Sequence, residues 1–247
     1  MKVRASGITD IGKSREENQD TLLIDEMAGL FIVADGMGGM EQGALAAQFA
    51  VQEIAEQLKR SVAAPGGGRV ATTELLRQTL ESVSGRLRKA VGDAAGSTVV
   101  LAKVYGRKAY VANLGDSSAY LFRQGSLTKL SRDQSLAGLM VEMGKITPEQ
   151  ARKHPMRHRL AAYLGMEGAV TVHINEIDLK SDDRILLCTD GLTGMVEDEA
   201  IAEILAKEHN TADAAKRLVA AANEAGGHDN VTVVLLDVAG DKGETAR

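Results

Sequence analysis

Four aspartates stand where short apolar runs begin or end. Asp35 closes Phe31-Ile32-Val33-Ala34 and is followed by Gly36, Gly38 and Gly39. Asp116 follows Asn113-Leu114-Gly115, Asp190 follows the run 185–188 and precedes Gly191, and Asp229 lies two residues ahead of Val231. An apolar run bounded by a carboxylate and glycine reads as a buried strand with the charge at its end and backbone free to approach a ligand. Carboxylates at the ends of several strands can converge on one rim of a sheet. Such an all-oxygen donor set suits a hard divalent cation.

The strands that would carry them are expected at 2–9, 21–25, 30–34, 98–105, 108–113, 118–122, 170–177, 185–188 and 231–238. Ala47, Val51, Ile54 and Leu58 recur at helical spacing and predict a helix over 41–60. Leu76, Leu80, Val83, Leu87 and Val91 predict a second, capped by Gly92, with Pro65-Gly66-Gly67-Gly68 as the loop between the two. Two more helices are expected at 198–207 and 212–225. The turns at Gly106-Arg107 and Gln124-Gly125 are too short for a crossover, so the strands they join form antiparallel hairpins. Segment 132–165 differs in character, with Met140, Met143, Pro148 and a basic run at 152–159. It is expected to form short helices in a mobile flap outside the core. Strand blocks alternating with helix pairs predict an antiparallel α+β domain over residues 1–240, helices covering the outer faces of the sheets. Residues 241–247 read as a polar, frayed tail.

Composition narrows the function classes. The chain has 247 residues, 44% hydrophobic and 26% charged, ordinary values for a globular protein with a large core. Trp is absent and aromatic residues make up 3%, so the stacking platforms of a single-strand nucleic-acid binder are missing. A net charge of -5 also argues against a phosphate-backbone partner. The single cysteine, Cys188, excludes an internal disulfide and suits a reducing compartment. The N-terminus carries no apolar signal core, and no run of about 18 apolar residues occurs. A cytoplasmic location without membrane contact is therefore expected.

Two motifs point elsewhere. Gly7-Ile8-Thr9-Asp10-Ile11-Gly12-Lys13-Ser14 matches the phosphate-binding loop GxxxxGK[ST] letter for letter. That loop must open a helix under a parallel sheet, yet Arg15-Glu16-Glu17-Asn18-Gln19-Asp20 holds no apolar residue and a strand already begins at 21. A nucleotide hydrolase is rejected on that ground. Cys188 lacks the arginine six positions on that a cysteine phosphatase needs, since position 194 is Gly194. Within Ile185-Leu186-Leu187-Cys188 the thiol reads as a small buried hydrophobe.

Taken in order, six segments carry a resemblance. Arg15-x-x-Asn18-Gln19-Asp20, Val33-Ala34-Asp35-Gly36-Met37-Gly38-Gly39, Gly96-Ser97-Thr98, Asn113-Leu114-Gly115-Asp116-Ser117, Cys188-Thr189-Asp190-Gly191-Leu192 and Asp229-Asn230-Val231-Thr232 resemble the motifs of the PP2C-type (PPM) metal-dependent protein phosphatases. The likeness spans residues 7 to 238 and is greatest to the compact bacterial serine/threonine members. It implies a four-layer αββα sandwich, two antiparallel sheets flanked by helices. It also implies hydrolysis of phosphoserine and phosphothreonine in proteins by a water that two Mn2+ or Mg2+ ions activate, about 3.5 to 4 Å apart. By the same resemblance Asp35 bridges the ions, Asp190 and Asp229 complete the first, and the Gly36 carbonyl belongs to the second. Asp116 would hold a third, weaker ion together with Asp190. Asp20 would orient water in the outer shell, and Arg15 would grip the phosphate with its planar guanidinium.

The resemblance further implies phosphorylated proteins and a cognate serine/threonine kinase as partners, and a monomer. Met37 stands where many eukaryotic relatives carry a histidine thought to act as general acid, a substitution common in bacterial ones. His154 and His228 are the histidines to consider for proton transfer, with a metal-bound water as the default donor. Gly115-Asp116-Ser117-Ser118 and Asp133-Gln134-Ser135 depart from the usual Gly-Asp-Ser-Arg and Asp-His-Ser, which bears on substrate contacts rather than on metal binding. The competing readings are a catalytically silent binding module on the same fold and a phosphatase restricted to a signalling regulator of the anti-sigma type.

Overall fold

Runs such as 30–34 and 233–236 are apolar at every position, which suits strands buried on both faces. The computed structural model describes residues 1–62 and 69–239, so the expected 65–68 loop and the 241–247 tail lie outside the described residues. Its strands are β1 (Lys2–Asp10), β2 (Asp20–Asp25), β3 (Leu30–Gly38), β4 (Ala95–Ser97), β5 (Val99–Tyr105), β6 (Lys108–Leu114), β7 (Ser118–Arg123), β8 (Ser126–Lys129), β9 (His173–Asp178), β10 (Arg184–Cys188) and β11 (Val231–Ala239). Its helices are α1 (Met40–Val62), α2 (Arg69–Val91), α3 (Leu136–Glu142), α4 (Pro148–Arg152), α5 (Asp190–Thr193), α6 (Asp198–Lys207) and α7 (Thr211–Glu224).

The strands form two sheets. One runs β1-β11-β10-β7-β8; the other runs β2-β3-β5-β6-β9, with β4 paired to the end of β3. Pairings among the described residues are antiparallel, as the short hairpins require. Side chains alternate between faces along each strand. On β3, Phe31 and Val33 face the opposite sheet and meet Val100, Val111, Leu187, Val234 and Leu236. Leu30, Ile32 and Ala34 face outward against α1 and α2, where Ala46, Ala47 and Ala50 permit close approach. Leu186, Val233 and Leu235 similarly meet Leu192, Ile201, Leu205 and Leu218 of the helices on the other side. The layers are therefore helix, sheet, sheet, helix, as expected.

Several expectations are corrected in detail. The strand expected at 98–105 begins one residue later as β5, and an unexpected β4 precedes it; between them Thr98 turns its N–H to the carbonyl of Asp35 at 2.8 Å. The strand expected from 170 begins at His173, although Val170 and Val172 are buried. Strand β8 and helix α5 were not anticipated; each is four residues, too short to establish a period. The 132–165 segment does hold two short helices, but its end belongs to the core: Leu164 is fully buried and bridges Ser97. The nucleotide-loop motif is dissolved by β1, which places Gly7 in register with Val234 rather than in a phosphate-binding turn.

Candidate metal centre

The sheet register decides which carboxylates meet. Asp20 on β2 lies directly opposite Asp35 on β3. Asp116 occupies the turn between β6 and β7, Asp190 opens α5 immediately after β10, and Asp229 precedes β11. The two sheets thus bring five carboxylates to one edge. Two glycines make the approach possible. A Cβ on Gly191 would lie 1.9 Å from the carbonyl oxygen of Asn230, and one on Gly36 would lie 2.0 Å from that of Gly43. Any side chain at either position would push α5 off β11 or α1 off β3.

Hydrogen bonds hold the frame around the carboxylates. Thr98 Oγ1 accepts from the Asp35 N–H at 3.0 Å and shares a 2.7 Å bond with Ser117 Oγ. Ser97 Oγ donates to the Asp35 carbonyl at 3.1 Å. Thr189 Oγ1 donates to Asp20 Oδ2 at 3.0 Å and accepts from the Thr232 N–H at 3.0 Å, linking β10, β11 and β2. Asn230 donates to the carbonyls of Ile11 and Glu17 and accepts from the Gln19 N–H, which fixes the loop that carries Arg15. Within that loop Arg15 Nη2 donates to Asp229 Oδ2 at 2.8 Å, leaving the guanidinium half exposed.

The electrostatics describe a site that needs positive charge. Burial, then the charges of Asp20, Asp190, Asp116 and Asp229, hold the Asp35 carboxyl well above the usual carboxylate range. Burial followed by Asp190 and Asp133 raises Asp116 in the same way. Burial pushes Asp20 up to about 7, against the opposing hydrogen bonds from Thr232 and Thr189. Asp20 Oδ1 and Asp190 Oδ1 are buried without a hydrogen-bond partner. Orphaned buried carboxylate oxygens among other carboxylates are costly unless a cation compensates them. Hard oxygen donors, two of them unpartnered, fit a divalent ion of the Mg2+ or Mn2+ type. Among the described residues no three Asp, Glu, His or Cys side chains close on a single point. Asp229 is instead turned toward Arg15.

The family then follows from comparison. The description "Protein phosphatase 2C" fits a family model that matches residues 12–225. This chain belongs to the protein phosphatase 2C family. Serine/threonine phosphatase stp of Listeria monocytogenes is 33% identical over 237 residues, covering 93% of each chain. PstP of Mycobacterium tuberculosis is 34% identical over 99% of this chain and 47% of its own length. The crystal structure of that phosphatase superposes with a TM-score of 0.84 at 31% identity, over 97% of this chain and all of the other. A structure of the PstP catalytic domain in complex with two manganese ions matches at a TM-score of 0.79 and 31% identity, over 96% and 99% of the two chains.

In this PP2C chain the fold brings together most of the residues that the sequence motifs single out. Asp20, Asp35, Asp116, Asp190 and Asp229 gather at one edge, with Gly36 beside Asp35 and Arg15 on Asp229. The two histidines singled out contact other groups. His154 Nδ1 accepts from the Met156 N–H at 3.1 Å, and the exposed His228 ring lies against Gly226. It is His158 whose Nδ1 approaches Asp190 Oδ2, at 3.5 Å. Thr189 and Asn230 were visible only as neighbours of aspartates, and Asp133 only as part of a departing motif. Cys188 is fully buried, and burial pushes its thiol up to about 12, so it is no nucleophile.

Proposed function

We infer that this chain is a metal-dependent serine/threonine protein phosphatase whose edge of five carboxylates is the catalytic centre. The observation that carries the reading is the pair of buried, unpartnered oxygens on Asp20 and Asp190 within an acidic cluster. Asp35, Asp190, Asp229 and the Gly36 carbonyl would hold two ions, with Asp116 available to a third. Such ions supply positive charge at phosphoryl oxygens and a nucleophilic water near neutral pH.

The chain's own groups do the rest. Thr98 and Ser97 hold the backbone of Asp35 on both sides, so its carboxylate would be presented to the ions from a fixed position. Thr189 fixes one oxygen of Asp20 and leaves the other to orient water. Arg15 is half exposed on a loop that Asn230 pins, so it can exchange Asp229 for a substrate phosphate while keeping its position. A substrate dianion offers two oxygens to the guanidinium fork. Phosphorylated proteins as substrates, a cognate kinase acting in opposition, a cytoplasmic location and a monomer complete the proposal. Among the described residues no helix is long and apolar enough to cross a membrane.

Asp190→Asn tests the reading. Turnover of a phosphothreonine peptide is expected to fall at least about a hundredfold, beyond the effect of an outer-shell change, while the unfolding transition stays cooperative. Near-normal turnover by the folded variant would remove Asp190 from the chemistry.

A further inference from the structure

The stretch after α4 reads Lys153-His154-Pro155-Met156-Arg157-His158-Arg159. Its backbone is held in place: the Arg157 N–H donates to the His154 carbonyl at 3.1 Å, the Arg159 N–H to Met156 at 3.1 Å, and the Leu136 N–H to Arg159 at 2.7 Å. At its start Arg152 donates to the Thr193 carbonyl at 2.9 Å and pairs with Glu197 at 3.0 Å. The 3.5 Å approach of His158 to Asp190 sets the stretch on the rim of the acidic centre.

Lys153, Arg157 and Arg159 are all exposed. Arg159 reaches only the Met156 sulfur, at 3.9 Å, and none of the three forms an ion pair among the described residues. Neighbouring Arg152 is neutralised by Glu197. A chain of net charge -5 thus places three uncompensated cations within seven positions, beside a centre of opposite sign. Clustered charge at a cleft edge raises the local concentration of ligands of opposite charge.

We propose that Lys153, Arg157 and Arg159 form a docking strip for anionic groups that flank the phosphorylated residue. The enzyme then favours protein segments with acidic or further phosphorylated side chains a few residues from the scissile phosphate. The strip rests on the phosphatase reading and names its substrate class. Three cations on an acidic molecule are too few for nucleic acid, whose binders commonly engage 6–10 phosphates.

The test compares kcat/KM for three phosphothreonine peptides, with neutral, glutamate-rich and doubly phosphorylated flanks. Wild type is set against K153A/R157A/R159A and R157E, with p-nitrophenyl phosphate as a substrate without flanks. Wild type is expected to prefer both anionic peptides about tenfold, roughly twofold per exposed cation, and to lose the preference at high salt. A preference for the doubly phosphorylated peptide alone would identify phosphate as the group read. The triple variant is expected to treat the three peptides alike, and R157E to weaken the preference, each hydrolysing p-nitrophenyl phosphate at the wild-type rate. Equal kcat/KM across the peptides in wild type, or a preference that survives the triple variant, would overturn the strip. Absence of p-nitrophenyl phosphate turnover in wild type would instead overturn the phosphatase reading beneath it.

Discussion

Asp20 faces Asp35 across the β2–β3 pair, with one oxygen fixed by Thr189 and the other buried without a partner. On the proposed reading Asp20 would orient water behind the ions, so Asp20→Asn should weaken Mn2+ affinity or activity by about 10–100-fold. Titrating activity against Mn2+ checks this; recovery at high Mn2+ is the expected pattern. Cys188, buried with its thiol held up to about 12, should resist alkylation in the native state and react once the chain unfolds. Mass spectrometry before and after denaturant reads that directly. The aspartates were legible because a carboxylate between an apolar run and a glycine is unusual in a solvated surface. His158 was not, since a histidine in a basic flap carries no mark of where the flap lies. Thr98 was legible only as part of a motif, because its bond to Asp35 depends on sheet register, which single residues do not encode.

At the scale of elements, short pieces were the hardest to read. β4, with three residues, and β8 and α5, with four each, show less than one full pattern, yet β4 and α5 position Asp35 and Asp190. Their signals are long-range: Gly36 in register with Ser97, and Gly191 against Asn230. The flap was legible by composition, but the burial of Leu164 was not, because it depends on pairing with Ser97, far away in sequence. Arg152 couples the flap to the end of α5 and the segment after it through Thr193, Val196 and Glu197. Hydrogen bonds from a charged donor contribute about 1.5–3 kcal/mol. Arg152→Ala should therefore speed amide exchange in α3 and α4 by at least about tenfold, with β10 and β11 unchanged. Unaltered protection in α3 and α4 would show that the tether does not hold the flap.

For the molecule as a whole, the four layers were legible because both faces of the central strands are apolar, which leaves no arrangement in which either sheet is solvated on one side. Leu187 is fully buried between the sheets. Leu187→Ala should cost about 2–5 kcal/mol of stability, read from denaturant unfolding, while activity per folded molecule is retained. Five carboxylates at one edge make the fold and the ions interdependent, since a ligand bound only by the native state stabilises it by mass action. The most direct measurement is phosphate release from a phosphothreonine peptide with Mn2+, with Mg2+ and with chelator, for wild type and Asp35→Asn. Turnover that requires metal and vanishes in the Asp35→Asn protein is the expected result. Folded wild-type protein that releases no phosphate with either metal would contradict it and leave a binding module on a phosphatase fold.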